Sequence, residues 1–537
     1  MKAEEKTVNE GREQRSGPGL NGALSLTLSA IILKVLGLIY KIPLSALLGD
    51  EGMGYFNSAY TIFSLFYLLC TAGVPKAITM LTAESIAKGS GKLERKIVSV
   101  SIIAFLFIST LSTIALTLFS GQLAEFIGSA NSRATIIAIA PSIIPVALSG
   151  VIRGRLTARL KLGAVAVSQI LDGVGKLAFG LILAIYASKL GFSAPIISAF
   201  TILGVSIGAL FSLLFLCIAS KTLKRDDKKE QNIIIPNNRN ILKRVLSISF
   251  PITLASCVMS LGGLIDLSMT MRQLVAIGYT EEQATAYYGN YTTLAVPMYN
   301  LAISLISPIS IALLPIIAGH YIKGEYSKFN SCIRTAISSS AFICAPLVIG
   351  IFAYSEEILK LLFRGSDISV GAPLLCLLIP SASIMSLLLI VNSVLEAKGR
   401  YSVPLISMLV GSVFKIIFGY YFISNESFGI AGAPIGTLIS YVISLSISLI
   451  ALGRDKNINM PIFSCSIIPY LNAFISIISS RGILHSCLKD VNESISLIIC
   501  ICISAVIYFI MSFISGVFSR LKKGYMSKYT KKYERIH

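Results

Sequence analysis

Apolar residues run along most of this chain in continuous stretches, separated by short polar breaks. An α-helix needs about 20 apolar residues to cross the hydrocarbon core of a bilayer. Spanning strands would instead show weak alternating segments of about ten residues. The continuous runs therefore predict helices, and fourteen of them, at about 24–48, 55–87, 97–119, 134–152, 164–187, 194–219, 243–275, 284–322, 330–354, 371–397, 401–424, 429–452, 462–480 and 494–519. The predicted fold class is an all-α polytopic membrane protein. The longest polar interruption, "KTLKRDDKKEQNIIIPNNRN" at 221–240, combines a charge run with Pro236 and paired asparagines, the composition of a linker. Six spans precede it and eight follow. The predicted organisation is a tail at 1–23, an amino-terminal lobe at 24–220, a linker at 221–242, a carboxyl-terminal lobe at 243–453, two further helices within 454–519 and a basic tail at 520–537.

The two halves carry a faint repeat. A shift of 239 residues lays Leu156–Leu181 on Leu395–Tyr420 with seven identities, among them Ser168/Ser407, Lys176/Lys415 and Gly180/Gly419. Arg159/Lys398 and Lys161/Arg400 keep their charge in the same alignment. Apolar helices align easily by chance, so the matched lysines at mid-span are the specific part. Both copies enter the membrane from the same side, which makes the two six-helix lobes parallel repeats.

Only 13% of the 537 residues are charged, against 54% hydrophobic, and the formal net charge is +20. That charge is a matter of topology. Of the 46 lysines and arginines, 34 fall in the tails and alternate connections on one side, and six on the other. The positive-inside rule puts the rich side and both termini in the cytoplasm. The charge therefore does not call for nucleic acid as a partner. The start of the chain, Met1–Asn21, has no apolar core of the kind a cleaved signal carries. Ten cysteines form no CxxC pair, and seven lie in apolar runs as small hydrophobes, so neither a metal nor a cofactor is expected.

Six basic residues remain inside the spans: Lys34, Lys41, Lys76, Lys176, Arg272 and Lys415. A charge at mid-bilayer costs about 2.5–3.5 kcal/mol on insertion scales and normally faces a bundle interior or a wet cavity. Lys34 and Lys41 share one stripe of the first helix, with Pro43 just after. Lys41 could instead snorkel to an interface. Lys76 follows "AGVP", where Gly73 and Pro75 predict a broken helix; its bland alternative is to bond carbonyls freed by the proline. Lys176 has Asp172 one turn before it and Gln169 on the same stripe, so a local ion pair is the alternative to a binding role. Lys415 has Gly411 at that place and is expected to be the freer anion contact. Arg272 lies six residues after Asp266, and the alternative for it is an interfacial anchor. Asp266 could take a proton or a cation, or serve as a structural hydrogen-bond partner. Glu84 and Glu396 sit near span ends as solvated cap or gate residues. Six cations against the two deep carboxylates Asp172 and Asp266 point to an anionic ligand, and lysine suits phosphate. A large amphiphilic phosphate ester fits such a cavity.

The stretch "VLGLIYKIPLSALLGDEGMGYFNSAYTIFSLF" at 35–66 resembles the opening helices of the polysaccharide-biosynthesis branch of the multidrug/oligosaccharidyl-lipid/polysaccharide (MOP) flippase superfamily. This is the branch of stage V sporulation protein B, related to the MurJ-type lipid II flippases. "TAGVPKAIT" (71–79), "AVSQILDGVGKLAFG" (166–180), "RQLVAIG" (272–278), "ATAYYG" (284–289) and "GIAGAPIGTLISY" (429–441) extend the likeness over about 24–453. The resemblance implies two six-helix lobes around a central cationic cavity and alternating access for a lipid-linked (undecaprenyl-diphosphate) sugar. The family's "RGYFQG"-like turn is here "RGRLTA" (153–158), and its "LQGLGK" is here "LEAKGR" (395–400).

The leading expectation is therefore a flippase for lipid-linked oligosaccharide or peptidoglycan precursors, with Lys34, Lys41, Lys76 and Lys415 capturing the diphosphate and an ion near Asp266 or the membrane potential resetting the lobes. A multidrug/cation antiporter of the same superfamily is the alternative; it calls for deep carboxylates where this chain has lysines. An enzyme is not expected, because His320, His485 and His537 are scattered and no acid/base or metal constellation accompanies them. A scaffold that recruits wall-synthesis enzymes through its tails is the remaining alternative.

Overall fold

The computed structural model describes residues 18–222, 235–363, 366–400, 402–453, 455, 458, 460–487 and 493–517, and gives only the backbone course at 18–35, 38, 255, 258–259, 307–316 and 483–487. The two tails and most of the linker, expected at 1–23, 520–537 and 221–242, thus fall largely outside the described residues. All regular elements among the described residues are helical: α1 (Pro18–Thr71), α2 (Val74–Ala87), α3 (Gly91–Leu118), α4 (Ser120–Phe126), α5 (Arg133–Ile139), α6 (Ile143–Ala158), α7 (Leu162–Lys189), α8 (Ala194–Lys221), α9 (Asn238–Ala276), α10 (Glu281–Asn290), α11 (Val296–Ile322), α12 (Tyr326–Ala353), α13 (Ser355–Leu362), α14 (Ile368–Leu378), α15 (Pro380–Ala397), α16 (Ser402–Ile423), α17 (Gly432–Gly453), α18 (Ile462–Cys487) and α19 (Glu493–Ile514). A π-helical turn, Tyr291–Ala295, joins α10 to α11.

Eleven segments among the described residues are long and apolar enough to cross a membrane. They do not reproduce the predicted fourteen one for one. The first, Ile39–Ala87, takes in parts of two predicted spans. The chain changes course between them at Gly49, where φ 64° and ψ −178° leave the helical region for a conformation glycine adopts readily. The predicted seventh and eighth spans fall on α9 and on α10–α11, which are helical but not among the eleven. The expected break at Pro75 is present: α1 ends at Thr71, and α2 begins at Val74 with proline in its first turn, where a missing N–H is harmless. The fourth predicted span was expected to end at 152. Instead α6 continues to Ala158, so Arg153 and Arg155 are helical residues rather than parts of a connection.

The described chain forms two compact units, residues up to 272 with 280–289 and residues 273–279 with 290–537. Each contains a lysine-bearing hairpin, α7–α8 in the first unit and α16–α17 in the second, and these are the most extensive helix pairings in their units. Apolar contact gives helices little reason to prefer each other over lipid, so close backbone approach through small residues takes over. A Cβ on Gly208 would lie 2.5 Å from the backbone O of Asp172 and the backbone N of Lys176. One on Gly204 would lie 2.4 Å from Gly180 N and 2.8 Å from Lys176 O. In the second unit, a Cβ on Gly436 would lie 3.2 Å from Gly419 Cα and from Lys415 O. The residues paired by the 239-residue shift, Lys176/Lys415 and Gly180/Gly419, thus meet a glycine of the following helix in the same way.

Ion pairs tie the helix ends within each unit. Glu94 on α3 is only 1% exposed, yet it accepts from Arg155 Nε at 2.7 Å and Arg159 Nη2 at 2.5 Å. Arg155 also donates to Ser220 Oγ on α8 at 2.8 Å. In the second unit the buried Lys398 Nζ reaches Asp455 Oδ2 at 2.5 Å and lies 5.6 Å from the Tyr321 ring centroid. Arg159 and Lys398 are one of the two charge-conserving pairs of the repeat, and each is answered by a carboxylate from outside its own helix.

Two outcomes follow for thermal unfolding of the full chain in detergent. Gly208→Val forces two backbones apart and lowers stability by about 1–3 kcal/mol or more, whereas Gly163→Ala, whose added Cβ meets nothing within 4 Å, leaves it unchanged. Glu94→Ala strands two arginines at a buried site and costs about 3–5 kcal/mol; an unaltered melting curve would show that the clamp contributes nothing.

Candidate functional site

The first unit has an open cavity of about 410 Å³ between α1, α6, α7 and α8. Helical periodicity explains which side chains reach it. Gln169, Asp172, Gly173 and Lys176 recur at intervals of three or four along α7 and form one stripe. Tyr60, Phe63 and Tyr67 do the same along α1, and Val146 and Arg153, two turns apart, do so along α6. Val205 closes the wall from α8.

The charged groups in this cavity are held by tertiary contacts. Arg153 Nη2 is 3.5 Å from Asp172 Oδ2 and donates to Ser212 Oγ at 2.8 Å, while its Nε donates to Ser168 Oγ at 3.1 Å. Ser168 and Ser212 are fully buried, so three helices hold the guanidinium from two sides. Lys176 Nζ lies 3.5 Å from the Tyr60 hydroxyl and 4.8 Å from the Tyr60 ring centroid, within reach of a cation–π attraction. Tyr60 is held in an aromatic stripe: its ring stacks on Phe56 at 6.3 Å and tilts against Phe63 at 5.8 Å, and Phe63 meets Tyr67 at 5.7 Å. Lys41, half-buried just before Pro43, lies within electrostatic reach of Lys176. Arg153, Asp172 and Lys176 are the charged side chains in the cavity wall.

The structure brings together only part of the expected set. Lys176 and Asp172 both line the cavity, but the ion-pair partner of Asp172 is Arg153 from another helix, not Lys176 one turn away. Lys76 is exposed on the first turns of α2 and does not line this cavity. Arg272 donates to Phe126 O at 2.9 Å and Glu125 O at 3.3 Å and lies 5.5 Å from the Phe126 ring, so it caps the last carbonyls of α4. Asp266 is half-buried on α9 with an interaction partner of its own. Lys415 is half-buried on α16 in the second unit and likewise has an interaction partner. Lys34 belongs to α1, and its side chain is outside the described residues.

Two cavity residues were not singled out from the sequence. Arg153 was placed in a connection because the predicted span ended at 152; the signal for it was its seven-residue spacing from Val146. Tyr60 was read as part of an apolar run, although Phe56, Tyr60, Phe63 and Tyr67 form an aromatic stripe at helical spacing.

Comparison with known proteins gives this geometry a context. Residues 20–320 match the family described as "Polysaccharide biosynthesis protein", and residues 251–421 match MatE. Stage V sporulation protein B of Bacillus subtilis (strain 168) is 24% identical over 520 residues, covering 94% of this chain and 96% of that protein. Lipid II flippase MurJ of the same organism is 22% identical over 460 residues, covering 81% and 82%. A solved structure of lipid II flippase MurJ in an inward closed conformation superposes with a TM-score of 0.71 at 17% identity, covering 91% of this chain and 98% of that one. These relatives are transporters, not enzymes. With a family match over more than half of its length, this multi-pass membrane protein belongs to the polysaccharide biosynthesis protein family of the MOP flippase superfamily.

Proposed function

We propose that the protein moves a lipid-linked sugar diphosphate, an undecaprenyl-diphosphate oligosaccharide or peptidoglycan precursor, across the cytoplasmic membrane by alternating access, with both termini on the cytoplasmic side. The observation that carries this reading is that Arg153 and Lys176 line, with the single carboxylate of Asp172, a cavity whose remaining wall is apolar and aromatic apart from Gln169. A diphosphate offers acceptor oxygens to both cations, and the Tyr60 ring offers a flat apolar face beside them. Lys41, within electrostatic reach of Lys176, is a further candidate contact. Lys415 is the corresponding cation of the second unit, and Lys34, Lys76 and Arg272 are the remaining candidates for contacts along the route. Asp172 is the carboxylate that an arriving anion displaces from Arg153, and either it or Asp266 is the candidate for ion coupling. Wall-synthesis enzymes, which make or consume such precursors, are the partners this reading calls for.

The MatE match at 251–421 favours a second reading, a multidrug/cation antiporter. The two readings part at the cavity charge. A cationic drug needs a carboxylate to meet it, and the carboxylate here is already opposed by a guanidinium.

Translocation assays in vesicles separate them. Lys176→Ala removes one charge-assisted phosphate contact, worth about 1.5–3 kcal/mol, and lowers precursor translocation about 10- to 100-fold. Tyr60→Phe keeps the ring and the cation–π contact and leaves translocation within about threefold of the parent. Lys415→Ala lowers transport as well. Undiminished flipping in both lysine variants, or proton- or sodium-driven efflux of a cationic dye by the unaltered chain, overturns the flippase assignment.

A further inference from the structure

The second unit contains another cavity, of about 560 Å³, a size typical of small-molecule sites. It lies between α12 and α18, and α18 is outside both matched family segments. Both helices contribute membrane-length apolar segments, Tyr326–Ala353 and Ile462–Gly482. The walls are apolar: Phe352 projects from α12, and Phe474 and Ile478 from α18, each more than half exposed.

One end of this cleft is charged. Glu356 and Glu357, in the first turn of α13, and Arg481 of α18 line that end. Arg481 Nη2 is 3.2 Å from Glu357 Oε1, and its guanidinium lies 5.4 Å from the Tyr354 ring centroid. Tyr354 is only 2% exposed, with its hydroxyl 2.7 Å from Ser480 Oγ, so the surface under Arg481 is rigid. Glu356 is answered by Lys360 at 2.6 Å. The rim therefore holds two carboxylates and two cations. It is neutral in sum and divided in sign.

An apolar trough with a charged end, set along two membrane-length helices, takes an amphiphile with its chains on the wall and its headgroup at the rim. The charges select the headgroup. A net anionic headgroup satisfies Arg481 but meets two carboxylates. A quaternary ammonium has no N–H to donate to them. A phosphoethanolamine headgroup has both a phosphate for the guanidinium and an ammonium with three donors for the carboxylates. We propose that this cleft is a binding site for one phosphatidylethanolamine molecule, with its phosphate on Arg481 and its ammonium at Glu356 and Glu357.

The test uses the purified full chain, delipidated in detergent and supplied with phosphatidylethanolamine, phosphatidylcholine or phosphatidylglycerol of identical acyl chains. Native mass spectrometry counts the retained lipid, and thermal unfolding reports its effect. One phosphatidylethanolamine per chain is expected to be held roughly tenfold more tightly than either of the others, as loss of one charge-assisted contact implies. It should also raise the unfolding temperature where the others do not. Arg481→Gln and the double variant Glu356→Gln/Glu357→Gln should each abolish that preference. Equal retention of the three lipids by the unaltered chain overturns the proposal without recourse to any variant. A preference for phosphatidylglycerol, or a phosphatidylethanolamine preference that survives Arg481→Gln, overturns it as well.

Discussion

Gly204 and Gly208 let the backbone of α8 run directly against that of α7, and the charged groups of the first unit's cavity are placed by that contact. Gly208 meets the backbone at Asp172 and Lys176, the two cavity residues of α7 that carry charge, and Gly204 meets Lys176 again from one turn away. A side chain at either position would rotate or lift α7 and carry both charges with it. The contact is thus more than a means of joining two helices in lipid. It fixes the azimuth at which Lys176 leaves its helix, and hence its reach to Tyr60 on α1. It also brings Ser212 of α8 to the same guanidinium of α6 that Ser168 of α7 holds.

Charges inside a membrane protein persist only when each finds a partner, because burying an unpaired ion is costly. The first unit meets this requirement in two ways. Glu94, almost wholly buried, is held between two arginines at the ends of the helices. In the cavity the pairing is looser: Asp172 stands 3.5 Å from Arg153 and is about a third exposed, and Lys176 rests on a ring face instead of a carboxylate. The tight clamp suits a permanent tie. The loose cluster fits the proposed function, in which its contacts are traded for those of a passing anion, since none of its groups would lose a short ion pair.

Much of this was legible in the chain because charges are rare in it. A lysine in an apolar run announces itself, and its match to Lys415 under a single shift marked the repeat that the glycine contacts then reproduced in space. The break at Pro75 was equally plain. What stayed hidden was whatever depended on partners distant in sequence. Asp172 was assigned to Lys176 because the i,i+4 rule is local, and tertiary packing offered Arg153 instead. Arg153 itself was lost to a boundary six residues too early, since a basic residue near the end of an apolar run looks like the start of a connection. Tyr60 was lost for the opposite reason: an aromatic residue among apolar neighbours looks like lipid-facing surface or core until a cation is found above it.

The same packing argument accounts for the difference between the two units. The residue of the second unit that corresponds to Asp172 is Gly411, and a Cβ there would stand 2.1 Å from Ser444 Oγ and 2.7 Å from Ser440 O on α17. The position is shut by the neighbouring helix, so no carboxylate could occupy it without parting the hairpin. In the first unit the hairpin's close contact falls at Gly175, Gly204 and Gly208, which leaves the Asp172 side chain free to turn into the cavity. The close approach of Ser440 and Ser444 to Gly411 therefore leaves no room in the second hairpin for the acid that the first carries beside its lysine. The two halves share a scaffold and a cation, and the acid that distinguishes the first from the second is a consequence of where the backbones touch.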